Sequence, residues 1–184
     1  NPEGYEKIAK VYVRKLDYDN AYKFMMKAQA LGASGAEFEL QLMNINYKLN
    51  NWTAETYVDY VYPLLTKYNN AGFQPTVNLY SNIYGKLSNR GKERQSLKYR
   101  NEMVEYVERT MGPGLGAFFS IDILSTKIKL GEIESAEKEL DNLLSKLALP
   151  PWNMMVPMMR ACFYADINDW DKFNAIIDEA EEGI

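Results

Sequence analysis

The sequence contains no histidine and a single cysteine, Cys162. Without histidine the chain has no Ser-His or Cys-His nucleophilic pair, no imidazole base and no imidazole metal ligand. One cysteine forms no internal disulfide, and a zinc site would need carboxylates alone, which is rare for structural zinc. We therefore expect no enzyme active site, no cofactor and no metal. Cys162 lies between Ala161 and Phe163, which predicts a buried, inert thiol.

Long apolar runs and a strong net charge are also missing. No stretch reaches the roughly 18 apolar residues of a membrane span. The net charge is -4, too small to predict general binding of nucleic acid. The chain begins Asn1-Pro2-Glu3 and shows no targeting signal, so we expect a segment of a longer protein. Its compartment stays open, with the cytoplasm slightly favoured.

The residues that are present follow a helical pattern. Between Tyr5 and Leu16 the apolar residues recur three and four positions apart, and no stretch alternates with the period of a strand. The pattern predicts an all-α chain of ten helices. They are expected at about 3–15, 18–31, 35–49, 53–70, 74–88, 92–111, 116–130, 133–147, 152–166 and 170–182. Pro157 predicts either a kink in the ninth helix or a short helix that starts near it.

Five polar turns divide these helices into pairs. The turns are centred on positions 17, 51, 91, 132 and 169, which gives a period in the mid-thirties with insertions. This spacing predicts one solenoid over 1–184, with repeats at about 3–33, 35–72, 74–111, 116–149 and 151–182. Three turns place an aromatic residue directly after Asp or Asn. We expect that aromatic to pack on the preceding helix while the polar residue caps the next one.

The first repeat resembles the tetratricopeptide (TPR) family. The first helix has the family's apolar, small and aromatic positions, the turn follows, and small residues recur on the second helix; the residues are Tyr5, Ile8, Ala9, Tyr12, Asp17, Tyr18, Ala21 and Ala28. Leu16 stands where glycine is usual, Met25 where an aromatic is usual, and Ala33 where proline is usual. Gly131, Ala136 and Leu140 match in the fourth repeat. The resemblance implies a right-handed α-α superhelix.

The resemblance also implies a function, because TPR stacks bind a peptide or protein in a concave groove lined by the first helix of each repeat. Carried over position by position, the groove would be lined by Glu3, Glu6, Lys10, Val13, Arg14, Glu37, Asn44, Tyr47, Lys48, Ser81, Ser88 and Asn89. Their charges and amides suit a peptide, although the family's lysine–asparagine clamp for a terminal carboxylate is not reproduced. A solvated helix face is the alternative interpretation.

Two functions fit these expectations. The first is a protein-interaction scaffold or adaptor, and the second is a peptide- or ligand-sensing regulatory domain of a larger signalling or transcription protein. Partners would be proteins or peptides, with no nucleic acid and no membrane insertion, and the exposed terminal repeats could self-associate. A basic cluster from Lys86 to Arg100 and an acidic segment from Asp166 onward are either solvated faces or steering charges.

A methionine cluster near the end of the chain has two interpretations. Its members are Met154, Met155, Met158 and Met159. Methionine adapts to irregular partners, but at this spacing we favour packing between repeats.

Overall fold

The computed structural model describes residues 1–68, 72–148, 150 and 152–182, with side chains up to residue 180. These residues form ten α helices and one 3-10 turn, without a strand among them, so the all-α prediction is confirmed. The helices are α1 (Pro2–Arg14), α2 (Tyr18–Ala30), α3 (Ala36–Leu49), α4 (Ala54–Lys67), α5 (Phe73–Ser88), α6 (Glu93–Met111), α7 (Pro113–Lys129), α8 (Ile133–Lys146), α9 (Val156–Asp166) and α10 (Trp170–Glu182).

The five predicted turns share one backbone feature, a residue in the left-handed conformation. These residues are Leu16, Asn51, Gly91, Gly131 and Asn168, with φ between 49° and 75°. In four of the turns the next amide donates to a carbonyl five residues back, as Asp17 does to Tyr12 at 3.0 Å. This bond satisfies a carbonyl that the helix end leaves without a partner. The same turn therefore closes the first helix of successive repeats.

The side chains of the turns cap the next helix and pack on it. Asp17 and Asp169 accept amide hydrogen bonds from Asn20 and Lys172, at 3.1 and 3.2 Å, so both act as predicted caps. The ring of Trp52 stacks on Tyr60 of α4, with centroids 4.5 Å apart. Trp170, the first residue of α10, meets Phe173 of the same helix edge-on. Each of these two tryptophans thus contacts an aromatic residue of the helix after its turn.

Proline sets two helix starts. Pro113 is the first residue of α7, three positions before the predicted start, and Pro157 lies in the first turn of α9, behind a 3-10 turn at Trp152–Met155. Proline fits a first turn because its missing N–H needs no partner there. Of the two predictions for Pro157, the short helix is confirmed. The fourth helix was predicted to run to position 70; α4 ends at Lys67, and positions 69 and 70 lie outside the described residues.

Of two predictions of burial near α9, one is wrong and the other holds for half of its residues. Cys162 is exposed, because it lies on the side of α9 opposite to the buried Tyr164. Among the methionines, Met159 is buried and Met155 packs against the same core, but Met154 and Met158 are 78% and 55% exposed. The 3-10 turn and the late start of α9 change the directions in which the four methionine side chains point. One face of a single helix therefore does not bury all four.

The chain divides into two compact units, which meet in sequence at the turn of the third predicted repeat. Unit 1 comprises residues 1–91 and unit 2 begins at Lys92. In unit 1 the small residues of the TPR-like pattern are fully buried, with Ala21 and Ala28 at 0% exposure beside Met25. Small side chains at these positions let α1, α2 and α3 approach closely.

Unit 2 packs a core of aliphatic and aromatic residues around α7, α8 and α9, including Leu140, Leu143 and Phe163. Three of its partly buried cations are paired with carboxylates. Arg100 contacts Asp122 at 2.9 Å, and further pairs are Lys127–Glu139 at 2.9 Å and Lys146–Glu108 at 2.7 Å. Each of these three pairs joins two helices of unit 2.

Candidate functional site

A groove of about 460 Å³ runs across unit 1. Its walls come mainly from α1, α3 and α5, the first helices of three predicted repeats. Each contributes polar residues one helical turn apart, which therefore share a face. The groove is lined by Ala9, Lys10, Val13, Arg14, Tyr18, Met25, Gln41, Asn44, Ile45, Lys48, Asn82 and Lys86.

The floor of the groove is apolar. Ala9, Met25 and Ile45 are 3% exposed or less, and all three belong to the core of unit 1. An apolar floor below polar walls is the usual composition of a site that binds a side chain or a peptide.

A chain of amide hydrogen bonds fixes one wall. The Tyr57 hydroxyl donates to Asn44 Oδ1 at 3.1 Å, and Asn44 Nδ2 donates to Asn82 Oδ1, also at 3.1 Å. Asn82 Nδ2 in turn donates to the Asn78 carbonyl at 2.9 Å. Burial raises the pKa of Tyr57, which keeps its hydroxyl protonated and able to donate. The network ties α3, α4 and α5 together and orients both asparagines.

The charged residues of the groove are all cations. They are Lys10, Arg14, Lys48 and Lys86, and within the described part of the chain none of them forms an ion pair with a carboxylate. Three of them lie in the last turns of their helices, where positive charge complements the helix dipole. The dipole accounts for cations at the exposed positions of Arg14 and Lys48, but Lys86 needs a further explanation.

Lys86 is half-buried against aromatic rings. Its Nζ lies 4.6 Å from the ring centroid of Tyr47 and 5.3 Å from that of Tyr57. The Nζ of Lys48 lies 5.7 Å from the same Tyr47 ring, so two ammonium groups approach one tyrosine. Burial lowers the pKa of Lys86, and the charge of Lys48 lowers it further. Cation–π contacts offset part of this cost, but no anion does so within the described residues.

The structure brings together part of the residues that the sequence indicated. Lys10, Val13, Arg14, Asn44 and Lys48 all line the groove.

Other predicted positions lie elsewhere. Tyr47 is only 6% exposed and supports Lys86 from below, and Asn89 is the C-terminal cap of α5. Ser81 accepts a hydrogen bond from Tyr84 at 3.3 Å and does not line the groove. Glu6 and Glu37 border a second hollow, which shares Lys10 with the groove.

Sequence reasoning missed Gln41, Asn82 and Lys86. The third repeat was aligned by its turn, but Lys86 precedes the left-handed Gly91 by five residues, whereas Arg14 precedes Leu16 by two. An error of one residue rotates a helix position by about 100°, which is why Ser81 was chosen in place of Asn82. The signal that could have found them is the repeated spacing of four between polar groove residues, as in Asn82 and Lys86.

The fold is similar to solved repeat proteins over nearly its whole length. A putative kinesin light chain from Podosopora anserina with nearly identical TPR-like repeats superposes with a TM-score of 0.64 at 10% identity, covering 99% of this chain and 95% of that chain. BtubC (BKLC) from P. vanneervenii gives 0.62 at 12% identity, covering 98% and 78%. The chain has a TPR-like fold. At these identities the likeness shows only the fold, which confirms the prediction of a TPR-like α-α solenoid.

No protein-family model and no curated protein matches the sequence of this TPR-like chain. In the ranges that the structure describes, no three His, Cys, Asp or Glu side chains lie close enough to hold a metal ion. None of the described helices is long and apolar enough to cross a membrane.

Proposed function

We propose that this chain is a protein-interaction module, and that unit 1 binds a segment of a partner protein in the groove between α1, α3 and α5. The observation that carries this proposal is the composition of the groove. A floor of buried Ala9, Met25 and Ile45 lies below oriented amides and cations without a carboxylate partner. Apolar side chains of a peptide would pack on the floor, and its backbone would bond to Gln41, Asn44 and Asn82.

The TPR-like fold supports the proposal because repeat stacks provide extended surfaces made of several helices. A catalytic role has little support. The described ionisable groups of the groove are cations and tyrosine, and no general base stands beside a nucleophile. We infer that the chain binds without chemical conversion of its ligand.

The test is affinity capture from a lysate of the source cells, with bound proteins quantified by mass spectrometry. The groove variant combines Lys10→Glu with Arg14→Glu. The matched control combines Lys15→Glu with Lys23→Glu, which makes the same change in charge at exposed positions outside the groove. We expect partners that the wild type and the control retain but the groove variant loses. Partners retained equally by all three would place binding on another surface and contradict the proposal.

A further inference from the structure

The cations of the groove contrast with three cations of unit 2. There, Arg100, Lys127 and Lys146 have side chains that are 12%, 14% and 32% exposed, and each meets a carboxylate within 2.9 Å. Lys86 is also half-buried, yet it meets only Tyr47 and Tyr57 among the described residues. Withdrawing an ammonium group from water is costly unless an opposite charge is supplied. In the groove, the tyrosine rings offset part of this cost, and an anionic ligand would supply the opposite charge.

The charge of the units points the same way. Residues 1–91 carry 10 basic and 8 acidic side chains, whereas residues 92–184 carry 11 and 17. Within unit 1 the acids Glu6 and Glu37 lie at the hollow near the starts of α1 and α3, away from Lys48 and Lys86 near the ends of α3 and α5. Lys10 lies beside these acids. The other three cations, Arg14, Lys48 and Lys86, lie in the last turns of α1, α3 and α5.

We propose that the segment bound in the groove is acidic, and that its Asp or Glu carboxylates contact Lys48 and Lys86 beside the Tyr47 ring. This inference rests on the proposed function and specifies the chemistry of its ligand. A carboxylate at this place would neutralise two like charges that converge on one ring, and would accept charge-assisted hydrogen bonds from both ammonium groups. Lys10 and Arg14 would contact further carboxylates along the segment.

Several spaced carboxylates fit the groove better than one phosphate group. Three of the four cations are lysines, whose ammonium groups act as separate point charges, and a single arginine provides no cluster of guanidinium groups. The cations also lie in the C-terminal halves of α1, α3 and α5, away from the helix N-termini whose amides favour phosphate. Since recognition uses side chains along the segment, it does not require a free C-terminal carboxylate.

The test is selection from random peptides presented in a loop of a carrier protein, so that neither peptide end is free. The intact chain is the bait. We expect enriched peptides with an excess of Asp and Glu, and their affinity should fall as salt rises. Lys48→Gln and Lys86→Gln should each lower the affinity for a selected peptide by about fivefold to tenfold, because each removes one charge-assisted contact. Lys86→Arg should keep most of the affinity.

Lys23→Gln is the matched control, because Lys23 is exposed on α2 and lies outside the groove. It should bind like the wild type, and thermal melts should show that every variant is folded. If the enriched peptides lack acidic residues but no longer bind when Lys10→Glu and Arg14→Glu are combined, the proposed function stands and this inference fails. If no peptide depends on the groove, both fail. If a peptide in which one phosphoserine replaces all the carboxylates binds with higher affinity than the selected acidic peptide, the assignment to Asp and Glu is overturned.

Discussion

Leu16 shows how one residue departs from the pattern of its own repeat. Its φ of 60° lies in the left-handed region, where a side chain with a Cβ is disfavoured, and it is 72% exposed, so it contributes little to the core. We predict that Leu16→Gly raises the free energy of unfolding by roughly 0.5–1 kcal/mol, measured by urea denaturation. Asn51→Gly should change it less, because asparagine tolerates this conformation. A destabilised Leu16→Gly protein would contradict the argument.

Lys86 is the residue at which binding and stability oppose each other. Its pKa in the folded chain is lowered, so at neutral pH the folded state bears a cost for the charge, and that cost disappears as pH rises toward the ordinary lysine pKa. We predict that Lys86→Met raises the free energy of unfolding near neutral pH by roughly 0.5–1 kcal/mol, a value discounted because water screens part of the charge.

The difference in the free energy of unfolding between Lys86→Met and the wild type should shrink in alkaline solution, because the wild-type lysine loses its proton there. Lys48 and Arg90 also approach the Tyr47 ring. The repulsion between Lys48 and Lys86 is part of the cost that the methionine removes. Urea denaturation at several pH values measures the difference. Equal stability at neutral pH would show that the tyrosine rings compensate for the buried charge in full.

The sequence indicates residue roles well where local chemistry decides them and poorly where helical phase does. Asp17 was predicted as a cap because an Asp before a helix accepts an amide hydrogen bond with few alternatives. The exposure of Cys162 was missed because it depends on where α9 begins, and the 3-10 turn before it changes the phase. Lys86 was missed for a similar reason. The contact between Lys86 and Tyr47 joins two helices, and no local pattern in the sequence reveals such a contact.

At the scale of helices, two glycines in helix interiors have opposite roles. Gly116 is buried in α7, and a Cβ there would overlap the Glu108 side chain on α6. Gly85 lies in α5, with nothing within 4 Å of the corresponding position. We predict that Gly116→Ala lowers the free energy of unfolding by about 1–3 kcal/mol through overpacking, and weakens the Glu108–Lys146 pair.

Gly85→Ala is the matched control, since it makes the same change in helix propensity without the close neighbour. It should raise the free energy of unfolding by up to about 1 kcal/mol. Urea denaturation of both variants separates propensity from packing. Stabilisation by both would mean that α6 and α7 adjust without cost. The helix turns were predictable because Gly, Asn and Asp mark them, whereas the tight approach at Gly116 depends on a partner on another helix.

At the scale of the whole chain, the repeat period predicted a solenoid, because each helix pair has to bury its apolar face against a neighbour. The TPR-like form of that solenoid was implied by the resemblance of the first repeat. The same period did not indicate the change at Gly91, where one compact unit ends and the next begins. The local pattern around Gly91 is that of the other turns, with φ at 70°. Which helices form a compact unit depends on packing between repeats, and the period of a sequence does not contain that information.

The division into units has a measurable consequence for ligand binding. A ligand that binds only the folded state stabilises it by about 2.7 kcal/mol at a free concentration one hundred times the Kd. Because the groove lies entirely in unit 1, we predict that an acidic peptide slows amide hydrogen exchange in α1, α3 and α5 and leaves α8 and α9 unchanged. With Lys86→Gln the protection should fall in proportion to the lost affinity. Equal protection of both units would show that they open together, and the compact units would then form one cooperative structure.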